Sequence, residues 1–224
     1  MINVLKNLDF SGITDLLLSV IPVLICITVH ECCHGLTALC LGDTTAKEQG
    51  RLSMNPFKHF DILGFIMLVV VGFGWAKPVP VNMNRFKKPK QGMAITALAG
   101  PVSNIILACL CLFIFGFFYS PFYDSGVGYY LLYTLVRTAS LSISLAVFNI
   151  IPIPPLDGSK VLFSVISDEA YDKLMMYERY GMLLLMLLLF TDILGNPLSS
   201  AVANIFDKLY IFTEWGFSLG SLVF

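Results

Sequence analysis

Long apolar segments, separated by short polar stretches, dominate the hydrophobicity pattern of this chain. The first candidate helix runs from about Ile13 to Leu41 and is ended by Gly42-Asp43. At 1.5 Å per residue it is roughly 43 Å long, more than the ~30 Å hydrocarbon core of a bilayer. The same pattern predicts further spans at about Met93–Tyr119, Tyr129–Ile151 and Tyr180–Leu194, and a last weak or interfacial helix within 197–224.

One apolar segment, Ile62 to Gly74, is too short for a confident span. It has about 13 residues and is interrupted by glycine, and apolar segments of this length are usually re-entrant or interfacial. In the stretch that follows, Ala76 to Met83, prolines 78 and 80 lie two apart, so both missing N–H groups fall on one edge. Val79 and Val81 keep their donors on the other edge. The pattern predicts a short strand that could pair with an extended peptide; the alternative is a proline-rich cytoplasmic linker.

Composition supports a membrane protein and excludes a soluble globule. The chain is 57% hydrophobic and only 13% charged, whereas soluble domains average about a quarter charged residues. The six cysteines lie in apolar helical runs, so buried and inert thiols are expected rather than a disulfide framework. We therefore predict one domain, 1–224, that is an all-α polytopic membrane protein with a short membrane-associated β or re-entrant region.

The distribution of positive charge predicts the orientation. Eight of the fourteen Lys and Arg residues lie between positions 44 and 92, and the loop 120–128 has none. The positive-inside rule places 44–92 in the cytoplasm. A full crossing by 62–74 would divide these cations between the two sides, so the pattern favours a re-entrant segment there.

Candidate chemistry lies in the sequence VHECCHG at 29–35. His30 and His34 are four residues apart, so on a helix both imidazoles can reach one metal ion, and Glu31 is close enough to take a proton from a metal-bound water. Ionisable residues within an apolar span are costly and functional by default. The alternative is a structural role, in which the three side chains are hydrogen-bonded inside a helix bundle.

A catalytic zinc site needs a third protein ligand. The other histidine, His59, lies in the polar stretch after the first helix, and the carboxylate candidates are Asp43, Glu48, Asp61 and Asp157. Asp157 is favoured, because it follows the end of helix 129–151, which finishes on the same cytoplasmic side as His34. A cap or turn residue before Gly158 is its alternative role.

Several segments together resemble the site-2 protease family of intramembrane zinc proteases. They are HECCHG (30–35), GRLSMNPFKHFDILG (50–64), GWAKPVPVN (74–82), AGPVSN (99–104) and NIIPIPPLDGSK (149–160). The resemblance covers about residues 25–165 and is to the short, compact form. It implies Zn²⁺ held by His30, His34 and Asp157, Glu31 as catalytic base, a three-helix catalytic core within about 13–165 with flanking helices, and peptide cleavage in the plane of the membrane, as in regulated intramembrane proteolysis.

The remaining predictions concern the second catalytic group and the partners. Asn149 could donate a hydrogen bond to the tetrahedral oxyanion, although an asparagine at a helix end also satisfies local backbone; Asn104 is a weaker candidate. We expect a membrane-protein or membrane-peptide substrate, the lipid bilayer and no nucleic acid as partners, and a multi-pass location in the cell membrane with the active site toward the cytoplasm. A metal transporter is the competing function, but it would not require a Glu beside the first His.

Overall fold

The computed structural model describes residues 11–71, 74–167, 169, 180–189, 191 and 193–224. Within these ranges the chain forms nine α-helices and two short 3₁₀ turns, at Pro56–Lys58 and Met83–Arg85, and no β-strand. The helices are α1 (Ser11–Cys40), α2 (Thr45–Glu48), α3 (Ile62–Val71), α4 (Pro89–Phe122), α5 (Gly126–Asn149), α6 (Asp157–Val165), α7 (Tyr180–Leu189), α8 (Gly195–Leu209) and α9 (Ile211–Gly220).

Three helices are long and apolar enough to cross a membrane: Val20–Cys40 within α1, then α4 and α5. They agree with the first three predicted spans to within a few residues. α4 packs against both α1 and α5, and small and branched side chains of α4 and α5 form the buried core between them: Ala108, Cys111, Leu112, Ala139 and Ile143. The three-helix arrangement expected from the sequence is therefore present.

The structure adds detail to the second half of the chain. The segment 156–180, expected to be a polar separator, contains the helix α6, and the predicted span Tyr180–Leu194 is helical only over Tyr180–Leu189 among the described residues. The single C-terminal helix is in fact two, α8 and α9, which meet at Tyr210.

The predicted strand is wrong in the part of the chain that the structure describes. Residues 74–82 are extended but pair with no strand among the described residues, and three of their backbone donors bond other parts of the chain. Lys77 N donates to His59 O (2.9 Å), Val79 N to Glu31 Oε2 (2.7 Å) and Asn82 N to Asp43 Oδ2 (2.6 Å). The prediction that Val79 offers an open donor is thus also wrong.

Two of these bonds position the extended segment against the helices. The bond from Lys77 to His59 brings together the chain entering and leaving α3. Asp43 lies just beyond Gly42, whose φ of +104° ends α1. Burial raises the pKa of the Asp43 carboxyl, but hydrogen bonds from Thr45 and Asn82 and the nearby Arg85 outweigh burial, so its pKa lies below the ordinary value. Asp43 therefore joins the end of α1 to the extended segment as a carboxylate.

Glycines allow α9 to approach α4 closely. A Cβ on Gly216 would lie 2.1 Å from Phe113 O, one on Gly220 2.3 Å from Phe117 O, and one on Gly116 2.1 Å from Thr213 O. Gly216 and Gly220 have the four-residue spacing that lets helix backbones meet in membranes. Backbone contact therefore contributes to holding α9 on the bundle.

Gly216→Leu should therefore displace α9. The added side chain has no space, and such overpacking typically costs roughly 1–3 kcal/mol. We expect the midpoint of thermal unfolding in detergent, followed by tryptophan fluorescence, to fall by several degrees. Ser218→Leu is the matched control because Ser218 is exposed on the same helix; equal midpoints for the two variants would contradict this account of the packing.

Candidate metal centre

His30 and His34 lie on successive turns of α1 and are both buried. Their rings meet edge to face with centroids 4.5 Å apart, and their Nε2 atoms are 3.0 Å apart. The i, i+4 spacing therefore brings the two imidazoles together on one helix face, as expected from the sequence.

Asp157 approaches the same point from the other end of the chain. It is the first residue of α6 and is buried, and its Oδ2 lies 3.1 Å from His30 Nε2 and 3.0 Å from His34 Nε2. Lys160 Nζ donates to the other oxygen, Oδ1, at 3.1 Å. Burial raises the pKa of the Asp157 carboxyl, but the two imidazoles and Lys160 lower it by more. The pKa of Asp157 therefore lies well below its ordinary range.

The chain reaches this position through the proline-rich turn after α5. Gly158 follows Asp157, and a Cβ there would lie 2.1 Å from Ile150 O, so only glycine permits the start of α6 to pack against the end of α5. This contact directs Asp157 back toward α1.

The three side chains fit a zinc ion. Tetrahedral zinc with bonds of about 2.0–2.1 Å has ligand atoms about 3.3 Å apart, and the three distances observed here are 3.0–3.1 Å. Among the described residues they form the only group of three or more His, Cys, Asp or Glu side chains arranged to hold a metal. Two imidazoles and one carboxylate also leave a fourth position open, as catalytic zinc sites require.

Glu31 lies beside this group and is half-buried. Its Oε2 accepts a hydrogen bond from Val79 N at 2.7 Å. Within the described part of the chain its Oε1 has no hydrogen-bond partner, so one carboxylate oxygen is fixed and the other is free to contact a water molecule.

Comparison with known proteins decides the family. The sequence profile of peptidase family M50 matches residues 127–190. A Bacillus subtilis protein named "Putative zinc metalloprotease YwhC" is 36% identical over 201 residues, which cover 85% of this chain and 90% of that protein. This chain belongs to peptidase family M50, the site-2 proteases.

More distant relatives agree with this assignment. Proteins named "Putative zinc metalloprotease Rip2" from Mycolicibacterium smegmatis and Mycobacterium tuberculosis are 27% and 26% identical, over 91% and 82% of this chain and 77% and 71% of their own lengths. No solved structure matches. The protein is a zinc metalloprotease, and its cofactor is Zn²⁺.

The outer nitrogens of both imidazoles are held by α4 of this M50 protease. His34 Nδ1 donates to Thr96 O at 2.7 Å, which leaves Nε2 free to bind metal. His30 Nδ1 lies 3.2 Å from the side-chain amide nitrogen of Asn104. An imidazole that binds metal through Nε2 carries its proton on Nδ1, so it needs an acceptor there. Rotating the amide supplies Oδ1, which is otherwise buried without a partner.

Sequence reasoning missed this role of Asn104, which it considered only as a weak oxyanion candidate. The backbone of Asn104 is fixed in turn, since its carbonyl accepts from Ser142 Oγ at 2.8 Å. No local sequence pattern indicates this role of Asn104, because the contact depends on how α4 packs against α1.

Gly100 of α4 makes room for the metal centre. A Cβ at this position would lie 2.5 Å from both His30 Cε1 and His34 Nε2. The imidazoles therefore occupy the space that any other side chain at position 100 would fill. The sequence indicated the segment AGPVSN only as part of the family resemblance, without a role for this glycine.

The competing ligand candidates lie elsewhere. Glu48 is exposed and pairs with Arg85 at 2.8 Å, Asp43 bonds the backbone of Asn82, and His59 Nε2 lies 2.7 Å from Ser53 O. Asp61 Oδ1 accepts from Gly64 N at 2.8 Å.

Cys32 is directed away from the metal centre and donates to Ser53 O at 2.9 Å. All six cysteines are free, as expected, but only three are buried, since Cys33 and Cys109 are half-buried and Cys40 is exposed.

A cavity of about 1670 Å³ opens from the metal centre between the helices. Its wall includes His30, Glu31, Asp157 and the extended segment, and it continues along α5, α7 and α8. Asn149 also lines it, with its amide nitrogen donating to Leu145 O at 3.0 Å. One of its two N–H groups is thus used by the local backbone, as the alternative interpretation expected, and the other faces no described partner.

Gly100→Ala should disrupt the metal centre without touching a proposed ligand. The methyl group must displace both imidazoles, and we expect zinc affinity to fall by about 10–100-fold, the usual effect of disturbing the surroundings of a metal ligand. Zinc content after dialysis against a weak chelator, determined by elemental analysis, measures this. Gly126→Ala is the matched control, since a Cβ there meets nothing within 4 Å. Full zinc retention in Gly100→Ala would contradict the contact.

Proposed function

We propose that this zinc metalloprotease hydrolyses peptide bonds of transmembrane or membrane-associated substrates, with water activated by Glu31. The observation that carries the proposal is the location of the His30, His34 and Asp157 group. Two members lie on the membrane-length helix Val20–Cys40, about 9 and 15 Å from its end, and the group opens into a cavity lined mainly by apolar side chains. A soluble substrate would not need a site at this depth.

Each residue then has a defined task. His30, His34 and Asp157 hold the zinc, which when bound polarises the scissile carbonyl and favours deprotonation of water near neutral pH. Glu31 takes the proton of the attacking water on its free Oε1 and transfers it to the leaving amine, while Val79 N–H holds Oε2. Lys160 fixes Asp157 with Oδ2 toward the imidazoles.

Asn149 is proposed to stabilise the oxyanion of the tetrahedral intermediate. Its side chain lines the cavity that contains Glu31 and Asp157, and it retains one N–H group after donating to Leu145 O. A preorganised donor near the scissile carbonyl can stabilise the negative charge that develops on it.

The proposed orientation places the C-terminal end of α1, at Cys40, on the cytoplasmic side. The Lys and Arg residues of 44–92 lie beyond that end, and the positive-inside rule applies to them. The bond from Lys77 N to His59 O supports a re-entrant path for α3, because the segment that follows this apolar helix returns to the segment that precedes it. The protein would then be a multi-pass membrane protein with its metal centre nearer the cytoplasm.

Replacing Glu31 should separate catalysis from metal binding. Glu31→Gln keeps the size and the acceptor for Val79 N–H but removes basicity. We expect zinc content to be retained while cleavage of a reconstituted transmembrane peptide falls by roughly a hundredfold or more. Asp157→Ala is the contrasting variant, which should lose both zinc and activity. Near-normal turnover by zinc-loaded Glu31→Gln would reject Glu31 as the base.

Cysteine labelling tests the orientation. A cysteine introduced at Lys88 should react with a membrane-impermeant maleimide only from the cytoplasmic side, and one at Ser125 only from the opposite side, each compared with the unsubstituted protein. Labelling of position 88 from outside would mean that 62–74 is a true span.

A further inference from the structure

Arg137 places a positive charge within a membrane-length helix, where a charge is energetically unfavourable. It lies 11 residues after the start of α5 and 12 before its end, or about 16–18 Å from either. This is too far for its side chain to reach the membrane surface along the helix. An arginine near the middle of a span is expected to face a water-filled cavity and to have a function.

The structure shows what holds the arginine and what it lacks. Its Nε donates to Tyr133 Oη at 2.9 Å, and its guanidinium carbon lies 5.3 Å from the centroid of the Tyr133 ring. Across the described residues it forms no ion pair, although Asp207 of α8 lines the same cavity. The terminal N–H groups of the guanidinium are therefore available, and their planar fork matches a carboxylate.

Arg137 lines the cavity that contains the metal centre. The position of Arg137 along the helix axis, relative to the metal centre, follows from two contacts between helices. Cys26 Sγ donates to Thr138 O at 3.5 Å, which places one turn of α1 beside one turn of α5. One turn further along both helices, His30 and Ser142 are linked through Asn104. The two helices therefore run parallel, and the level of His30 is about five residues from Arg137.

The distance to the reacting bond can be derived from this register. Five residues of helix are about 7.5 Å, and the arginine side chain points further away, toward Tyr133 in the preceding turn. The guanidinium thus lies about 10–15 Å along the helix axis from the metal ligands. An extended peptide advances about 3.3 Å per residue, so this distance corresponds to about three to five substrate residues.

We propose that Arg137 determines substrate specificity by binding a carboxylate of the substrate about three to five residues from the scissile bond. This inference rests on the proposed function. The carboxylate is either an Asp or Glu side chain or a free C-terminus left by an earlier cleavage. Tyr133 holds the guanidinium through its hydroxyl oxygen.

Peptide hydroxamates test the proposal by binding, independently of turnover. The hydroxamate group binds catalytic zinc and fixes the origin from which residues are counted. Two series are needed, with the hydroxamate at the C-terminal or the N-terminal end of an apolar peptide, and with one Glu, Gln or Lys at positions one to six. A third set has no Glu but ends in a free carboxylate or an amide, and separates the two carboxylate sources. Dissociation constants are measured on full-length, zinc-loaded protein in detergent.

We expect Glu to bind about tenfold more tightly than Gln at one or more of positions three to five in one series, and no preference at position one. The preference should disappear in Arg137→Gln, persist partly in Arg137→Lys, and change to a preference for Lys over Glu in Arg137→Glu. Lys87→Gln, which removes a positive charge at an exposed position not lining the cavity, should keep it.

Acetohydroxamate, which has no peptide, separates the two ways in which the experiment could fail. Equal binding of acetohydroxamate to the wild type and Arg137→Gln shows an intact metal centre. Equal binding of the Glu and Gln peptides to the wild type, or a preference that survives in Arg137→Gln, then overturns the role of Arg137 and leaves the proposed function standing. Failure of acetohydroxamate to bind the zinc-loaded wild type contradicts both.

Discussion

The convergence of Asp157 with His30 and His34 is the contact on which the arrangement of this protein depends. Asp157 of α6 is separated from the two histidines of α1 by more than 120 residues, yet its carboxylate oxygen lies 3.0–3.1 Å from their nitrogens. Buried polar groups require hydrogen-bond partners for most of their donors and acceptors. That requirement explains why α4, which contributes no proposed ligand, packs against α1 at this level: it supplies the acceptors for both outer imidazole nitrogens.

The hydrophobic pattern was sufficient to predict the three long apolar helices, and the i, i+4 spacing to predict the paired histidines. Asp157 could be found because helix direction limits which loops reach the same side of the membrane. Thr96, Asn104 and Gly100 could not be assigned roles, since each acts through a contact between helices that no local pattern specifies. The strand prediction failed for a related reason: the Val79 N–H, expected to pair with an extended peptide, instead donates to the side chain of Glu31.

Glycine and small residues serve two purposes in this bundle. Gly116, Gly216 and Gly220 let α4 and α9 touch through their backbones, which is how membrane helices associate when apolar side chains gain little by leaving lipid. Gly158 serves positioning rather than helix association, because it allows the turn after α5 to close tightly and to direct Asp157 inward. Stability and site geometry thus rely on the same property, the absence of a Cβ.

The re-entrant path proposed for α3 has a consequence for the surrounding lipid. In the proposed topology this helix, about 15 Å long, enters and leaves on one side, so it fills only half of a hydrocarbon core of about 30 Å. Acyl chains from the opposite leaflet must fill the remaining depth, or the bilayer must thin beside the protein. Membrane thickness then becomes a physical variable of the enzyme, because a thinner bilayer shortens the apolar path that water must cross to reach the site.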